Sequence, residues 1–140
     1  MLNAKLEDIA VASDGSFFLM LIGTDKGDVV PISIGPLEAY AISASRQEQG
    51  SERPLTADLL ISTLEILGAT IKRIELTDLK DGIYYARIVI ENRGIEFEID
   101  ARPSDALALQ VRTNAPLYIA ESVVEAAGLH DDFGQGGAEA

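Results

Sequence analysis

Residues 83–109 read IYYARIVIENRGIEFEIDARPSDALAL. Two β-rich runs, 83–91 and 95–100, flank Arg93-Gly94, a two-residue turn signal. The register follows from the pattern. Pairing Glu91 with Glu96 sets Ile90 opposite Phe97 and Ile88 opposite Ile99, so one face is wholly apolar. Arg87 then falls opposite Asp100 on the other face, and a slip of one residue would mix the two faces. Directly after the hairpin, Pro103-Ser104-Asp105 opens a helix that carries Leu107, Leu109 and Val111. Proline suits the first helical position, and a first-turn acid suits the positive end of the helix dipole. A hairpin feeding a helix is the unit of an α+β fold.

Working outward, residues 71–76 give the strand before this hairpin, with Asp81-Gly82 turning the chain. Residues 116–120 give a short strand after the helix, and residues 122–127 a last helix closed by Gly128. Towards the N-terminus, residues 6–12 and 17–22 read as strands. The second shows no polar alternation and is expected to be buried on both faces. Val30, Ile32 and Ile34 form a third strand. Pro31 cannot donate to a ladder, so a free edge or bulge is expected there. Pro36-Leu37-Glu38 opens a helix with Ala39, Ala41 and Ile42 inward. Residues 47–53 are polar and read as an exposed loop. Pro54-Leu55-Thr56 starts a further helix, with Thr56 as N-cap, Leu55 and Leu60 as a staple, and Leu60, Leu64 and Leu67 as the inward stripe.

The two halves repeat an order of three strands, a proline-opened helix and a further proline-led segment and helix. Glu38 corresponds to Asp105 and Gly68 to Gly128. The expected architecture is α+β: two similar β-rich/helix units from an internal duplication, with mixed sheets and packed helices. Residues 1–130 form one domain. Residues 131–140 are acidic and glycine-rich and are expected to be a disordered tail.

Composition narrows the chemistry. The 140 residues suit one domain with a real core. With no cysteine there is no disulfide and no thiolate metal site. The charged start and the cysteine-free composition lead to an expectation of a cytoplasmic protein, and no apolar run is long enough for a membrane span. The net charge of −12 argues against tight, non-specific nucleic-acid binding, which depends on basic side chains. It leaves room for a metal-dependent site, because a divalent ion needs carboxylates.

Three segments carry a resemblance. Residues 31–39, PISIGPLEA, look like the LPIxIGxxEA segment of the bifunctional nuclease family. Residues 53–60, RPLTADLL, are similar to its RPLTHDLL segment, and residues 100–109, DARPSDALAL, to its DARPSDAIAL segment. The resemblance implies an α+β domain and hydrolysis of RNA or DNA phosphodiesters. Where the family has histidine this chain has Ala57, so any chemistry must rest on carboxylates and a metal. The candidates are Asp58, Asp100 and Asp105 for catalysis, and Arg53, Arg102 and Ser104 for substrate. Glu38 and Asp105 are the candidates to hold Mg²⁺ or Mn²⁺. Each has an ordinary structural role open to it: a first-turn acid on the helix dipole for Glu38 and Asp58, helix capping for Ser104 or Asp105, pairing with Arg87 for Asp100, loop solvation for Arg53 and carboxylate pairing for Arg102. A non-catalytic oligomeric binding or regulatory domain is the competing reading, and a homodimer is expected because sheet edges such as the one at Pro31 tend to be paired or covered.

Overall fold

A computed structural model describes residues 1–46 and 53–129. The expected loop at 47–53 lies outside these residues except for Arg53, and the expected tail lies wholly outside them. The elements are β1 (Leu2–Val11), β2 (Phe18–Thr24), β3 (Val29–Ile34), α1 (Pro36–Arg46), α2 (Thr56–Ile66), β4 (Ala69–Lys80), β5 (Ile83–Asn92), β6 (Ile95–Ala101), α3 (Pro103–Thr113), β7 (Leu117–Ile119) and α4 (Glu121–Ala127). The fold is α+β, as the sequence implies.

The strands form one mixed sheet in the order β3-β2-β1-β7-β4-β5-β6. Two antiparallel meanders, β1–β3 and β4–β6, are joined by the three residues of β7. This strand runs antiparallel to β1 and parallel to β4. The sheet curls enough for the Tyr84 hydroxyl on β5 to donate to the Pro31 carbonyl on β3 at 3.4 Å.

The decisive hairpin has the register its pattern demands: Ile88↔Ile99, Ile90↔Phe97, Arg87↔Asp100 and Glu91↔Glu96. Arg93 and Gly94 both have positive φ, 55° and 81°. That is a primed turn, whose twist suits a two-residue hairpin. One side of the sheet carries the core. Met20, Ile22, Val30 and Ile32 meet Ile74, Leu76, Ala86 and Ile88 there, and Leu107 and Leu109 of α3 pack against them.

The other side is polar. On it Glu75 is only 7 % exposed, between Arg73, whose Nε donates to it at 2.9 Å, and Arg87, which donates to its other oxygen. The two guanidiniums continue to Glu96 and Glu98 on β6. Val89 is fully buried yet stands outside the main core; its cross-strand neighbours are Arg73 and Glu98. The stems of the charged side chains cover it, as long amphipathic side chains do.

Several local expectations are corrected. β2 is buried on one face: Met20 and Ile22 are inaccessible, while Leu19 and Leu21 are half-buried. The first strand of each meander, β1 and β4, also runs longer than the apolar pattern, because paired backbone extends past the residues that fill the core. On α2 the N-cap is Leu55, and Thr56 is the first helical residue. Ala57 and Ile61 pack on the core, while Leu60 and Leu67 are exposed. Asp58, reaching Arg112 of α3, sets that rotation.

Each half is a meander followed by an 11-residue helix with proline first and an acid third. The order accommodates a duplication without establishing one. The second half places β7 between its two helices, and among the described residues no strand separates α1 from α2.

Candidate functional site

The helices leave part of the apolar sheet face uncovered. There a cleft of 480 Å³ opens between the start of α2, the middle of α1, the start of α3 and the strands β5 and β6. Ile88 and Ile99 come from the sheet, Tyr40 from α1, Leu55, Ala57 and Leu60 from α2 and its cap, and Asp105 and Ala108 from α3. Asp105 is exposed, on the third residue of α3. Arg102, the N-cap residue just before it, is exposed and makes no ion pair among the described residues.

The other candidates separate. Asp100 borders the cleft at the end of β6. By strand alternation its side chain belongs to the polar face, opposite Arg87. The pair does not form, because Arg87 is bound to Glu75 and Glu98. Ser104 is buried, 6 % exposed, on the second residue of α3. Arg53 is exposed ahead of α2. Glu38 lies back over the start of α1, with its Oε1 2.5 Å from where a Cβ on Gly35 would stand. Any side chain at position 35 would displace that carboxylate. Among the described residues no three His, Cys, Asp or Glu side chains gather as a metal cage.

Asp58 stands away from the cleft lining, in a structural position. Its Oδ2 accepts the Leu55 N–H at 2.9 Å, and its Oδ1 accepts Arg112 Nε at 2.8 Å. The first bond is half of a capping box, which leucine cannot reciprocate. Arg112 is nearly inaccessible, at 7 %, and also donates to the Ala108 carbonyl at 2.8 Å. Its role is not legible in the sequence, since an arginine in a last helical turn reads as a simple dipole complement.

The Leu55 N–H holds the Asp58 carboxyl below the usual range; burial opposes this and Arg112 assists it. A depressed folded-state value means stability present above the unfolded value, about 3.9, and lost as pH falls through the folded one. Asp58→Asn is therefore expected to cost about 1 kcal/mol near neutral pH, held to that size by the solvent that reaches the carboxylate. The difference from the parent should shrink below about pH 4. Denaturant titrations at pH 7 and pH 3 check this, and an unchanged difference at both would show that Asp58's ionisation carries no stability.

One comparison with known proteins gives a family, and another gives relatives of similar sequence. The bifunctional nuclease domain matches residues 19–132. Two uncharacterized proteins of Mycobacterium tuberculosis, from strains CDC 1551 / Oshkosh and ATCC 25618 / H37Rv, are each 36 % identical over 112 residues. The match covers 79 % of this chain and 66 % of theirs, so it spans just under two thirds of those relatives. A family match over most of the chain, on the fold and cleft described above, leads to one conclusion: the chain belongs to the bifunctional nuclease domain family.

Proposed function

We propose that the chain hydrolyses phosphodiester bonds of RNA or DNA, weakly, with Mg²⁺ or Mn²⁺. The observation that supports this reading is Asp105 in the cleft, three residues after the exposed N-cap residue Arg102, in a chain of this family. Asp105 is the carboxylate placed to face an ion, with Asp100 at the border. Arg102 and Arg53 are the cations offered to phosphate, Arg102 by a bidentate fork. Ser104, buried on α3, and Asp58, committed to Leu55 and Arg112, serve the shape of the site. Glu38 is a more distant contributor.

The donors present fit an ion held by one or two carboxylates, water and substrate phosphate, the manner in which Mg²⁺ is usually bound; they do not make an all-protein cage. Such an ion would neutralise charge on the phosphoryl oxygens. The net charge of −12 makes nucleic-acid binding weak and dependent on that ion. A cytoplasmic setting and a homodimeric working unit belong to the same proposal. Among the described residues no helix is long and apolar enough to cross a membrane.

A non-catalytic oligomeric binding or regulatory domain is the second reading. The largely apolar lining of the cleft, with Ala57 where a proton carrier would stand, favours it. The two separate in a cleavage assay on single-stranded RNA and DNA with Mg²⁺, Mn²⁺ or EDTA, run beside Asp105→Asn. Metal-dependent cleavage that falls about tenfold or more in the variant is expected. Cleavage that persists in both the variant and EDTA would belong to a contaminant, and no cleavage at all would leave the binding domain.

A further inference from the structure

The two edges of the sheet are treated differently. At β3 the edge carries Pro31, and Leu129 exchanges both backbone hydrogen bonds with Val29, at 2.8 and 2.7 Å. The Pro31 carbonyl accepts from Tyr84. The edge that first suggested a dimer is thus partly covered. At β6 none of these devices is present. The strand has no proline, and it pairs with β5 in register from end to end with no bulge. Its outer side has no partner strand among the described residues. Ile95, Phe97 and Ile99 line one face of it, and Ile99 reaches the cleft, where Tyr40 and Leu60 stand. Leu37 continues the patch one turn back along α1. These six residues are 41–82 % exposed. At about 200 Å² for a large apolar side chain they leave on the order of 650 Å² to solvent. Patches of that size on a soluble protein mark an interaction site, and about 1,300 Å² over two such faces is the size of a stable interface.

We propose that a second copy of this chain covers the face, its β6 pairing antiparallel with this β6 about a twofold axis at Phe97. The proposal rests on the homodimer reading and adds the surface. Two observations favour a copy over another partner. The register that puts Phe97 on the axis sets Ile95 opposite Ile99 of the second copy, so the apolar face continues unbroken across the seam. It sets Glu96 opposite Glu98 of the second copy, a like-charge contact that the arginines already bound to them, Arg73 and Arg87, offset. It also sets Gly94 opposite Asp100 of the second copy, which brings the turn residue Arg93 beside that carboxylate. Arg93 and Asp100 make no ion pairs within the described chain. The self-complementarity is that of an isologous interface.

Light scattering across micromolar concentrations tests it. The parent is expected at twice 15.0 kDa. Phe97→Lys, at a side chain already half-exposed, is expected at the monomer mass with an unchanged far-ultraviolet spectrum. Asp100→Arg should raise the concentration at which the dimer dissociates about tenfold, and Arg93→Asp with Asp100→Arg should restore it. A parent that stays monomeric overturns both the homodimer and its interface, and leaves the apolar face to a different protein. A dimer unaffected by Phe97→Lys, or a double variant no tighter than Asp100→Arg alone, overturns the β6 interface while the homodimer stands.

Discussion

Ala57→His is expected to raise metal-dependent cleavage of single-stranded RNA or DNA by about a hundredfold, the contribution of one positioned general base. Position 57 lines the cleft with Asp105, so an imidazole there would enter the same space. It would sit on the second residue of α2, at the positive end of the helix dipole. That end disfavours the imidazolium and keeps the ring neutral near pH 7, the form that accepts a proton. Alanine is the best helix former and this one packs partly on the core, so the change should cost about 1 kcal/mol from propensity and crowding together.

The sequence motif pairs this position with Asp58, but the geometry offers a different partner. Both oxygens of Asp58 are engaged, by Leu55 and Arg112, whereas Asp105 shares the cleft. The gain should therefore vanish in Ala57→His, Asp105→Asn and survive, per folded molecule, in Ala57→His, Asp58→Asn. If Ala57→His folds normally and is no more active than the parent in Mg²⁺ and Mn²⁺, a missing base is not what limits this chain, and the binding-domain reading takes over.

The parts of the fold that were legible in the sequence are those where one residue pattern has one physical solution. The β5–β6 register is such a case, because only one parity gives an apolar face. The openings of α1 and α3 at Pro36 and Pro103 are another. β7 was foreseen as a strand, but its place between β1 and β4 was not: three residues carry no signal for which neighbours they join. The rotation of α2 differs from the sequence expectation for a related reason. Its apolar residues surround the helix almost evenly, so hydrophobic spacing could not choose a face; the Asp58–Arg112 contact with α3 did, and that contact is long-range. The candidate site behaves likewise. Asp105 and Ala57 meet at one cleft although 48 residues separate them in sequence. Asp58, adjacent to Ala57, faces elsewhere, since neighbours on a helix point about 100° apart.

Glu75→Ala is expected to lower stability by about 2–3 kcal/mol, below the 3–5 typical when one member of a fully buried pair is lost, because solvent reaches both guanidiniums. Their side chains are 31 % and 37 % exposed, against 9 % for Glu75. Removal of the carboxylate would leave Arg73 and Arg87 close together over Val89 with only Glu96 and Glu98, at 3.4 Å and on the exposed side, to offset them. The melting temperature should fall by roughly 6–10 °C for a domain of this length. In the parent, burial pushes the Glu75 carboxyl upward, but the two arginines outweigh it and hold it below the ordinary glutamate value. Its contribution is thus present above the unfolded value, about 4.3, and is lost as pH falls through the folded one. Parent and variant should converge in acid. Glu75→Leu combined with Arg87→Met should recover much of the loss at pH 7, since well-packed apolar residues replace a buried pair at little cost. A Glu75→Ala protein within about 0.5 kcal/mol of the parent at pH 7, the range of an ordinary surface substitution, would mean that the ion-pair network around Glu75 is a solvated surface feature and that Val89 is covered by the strand neighbours alone.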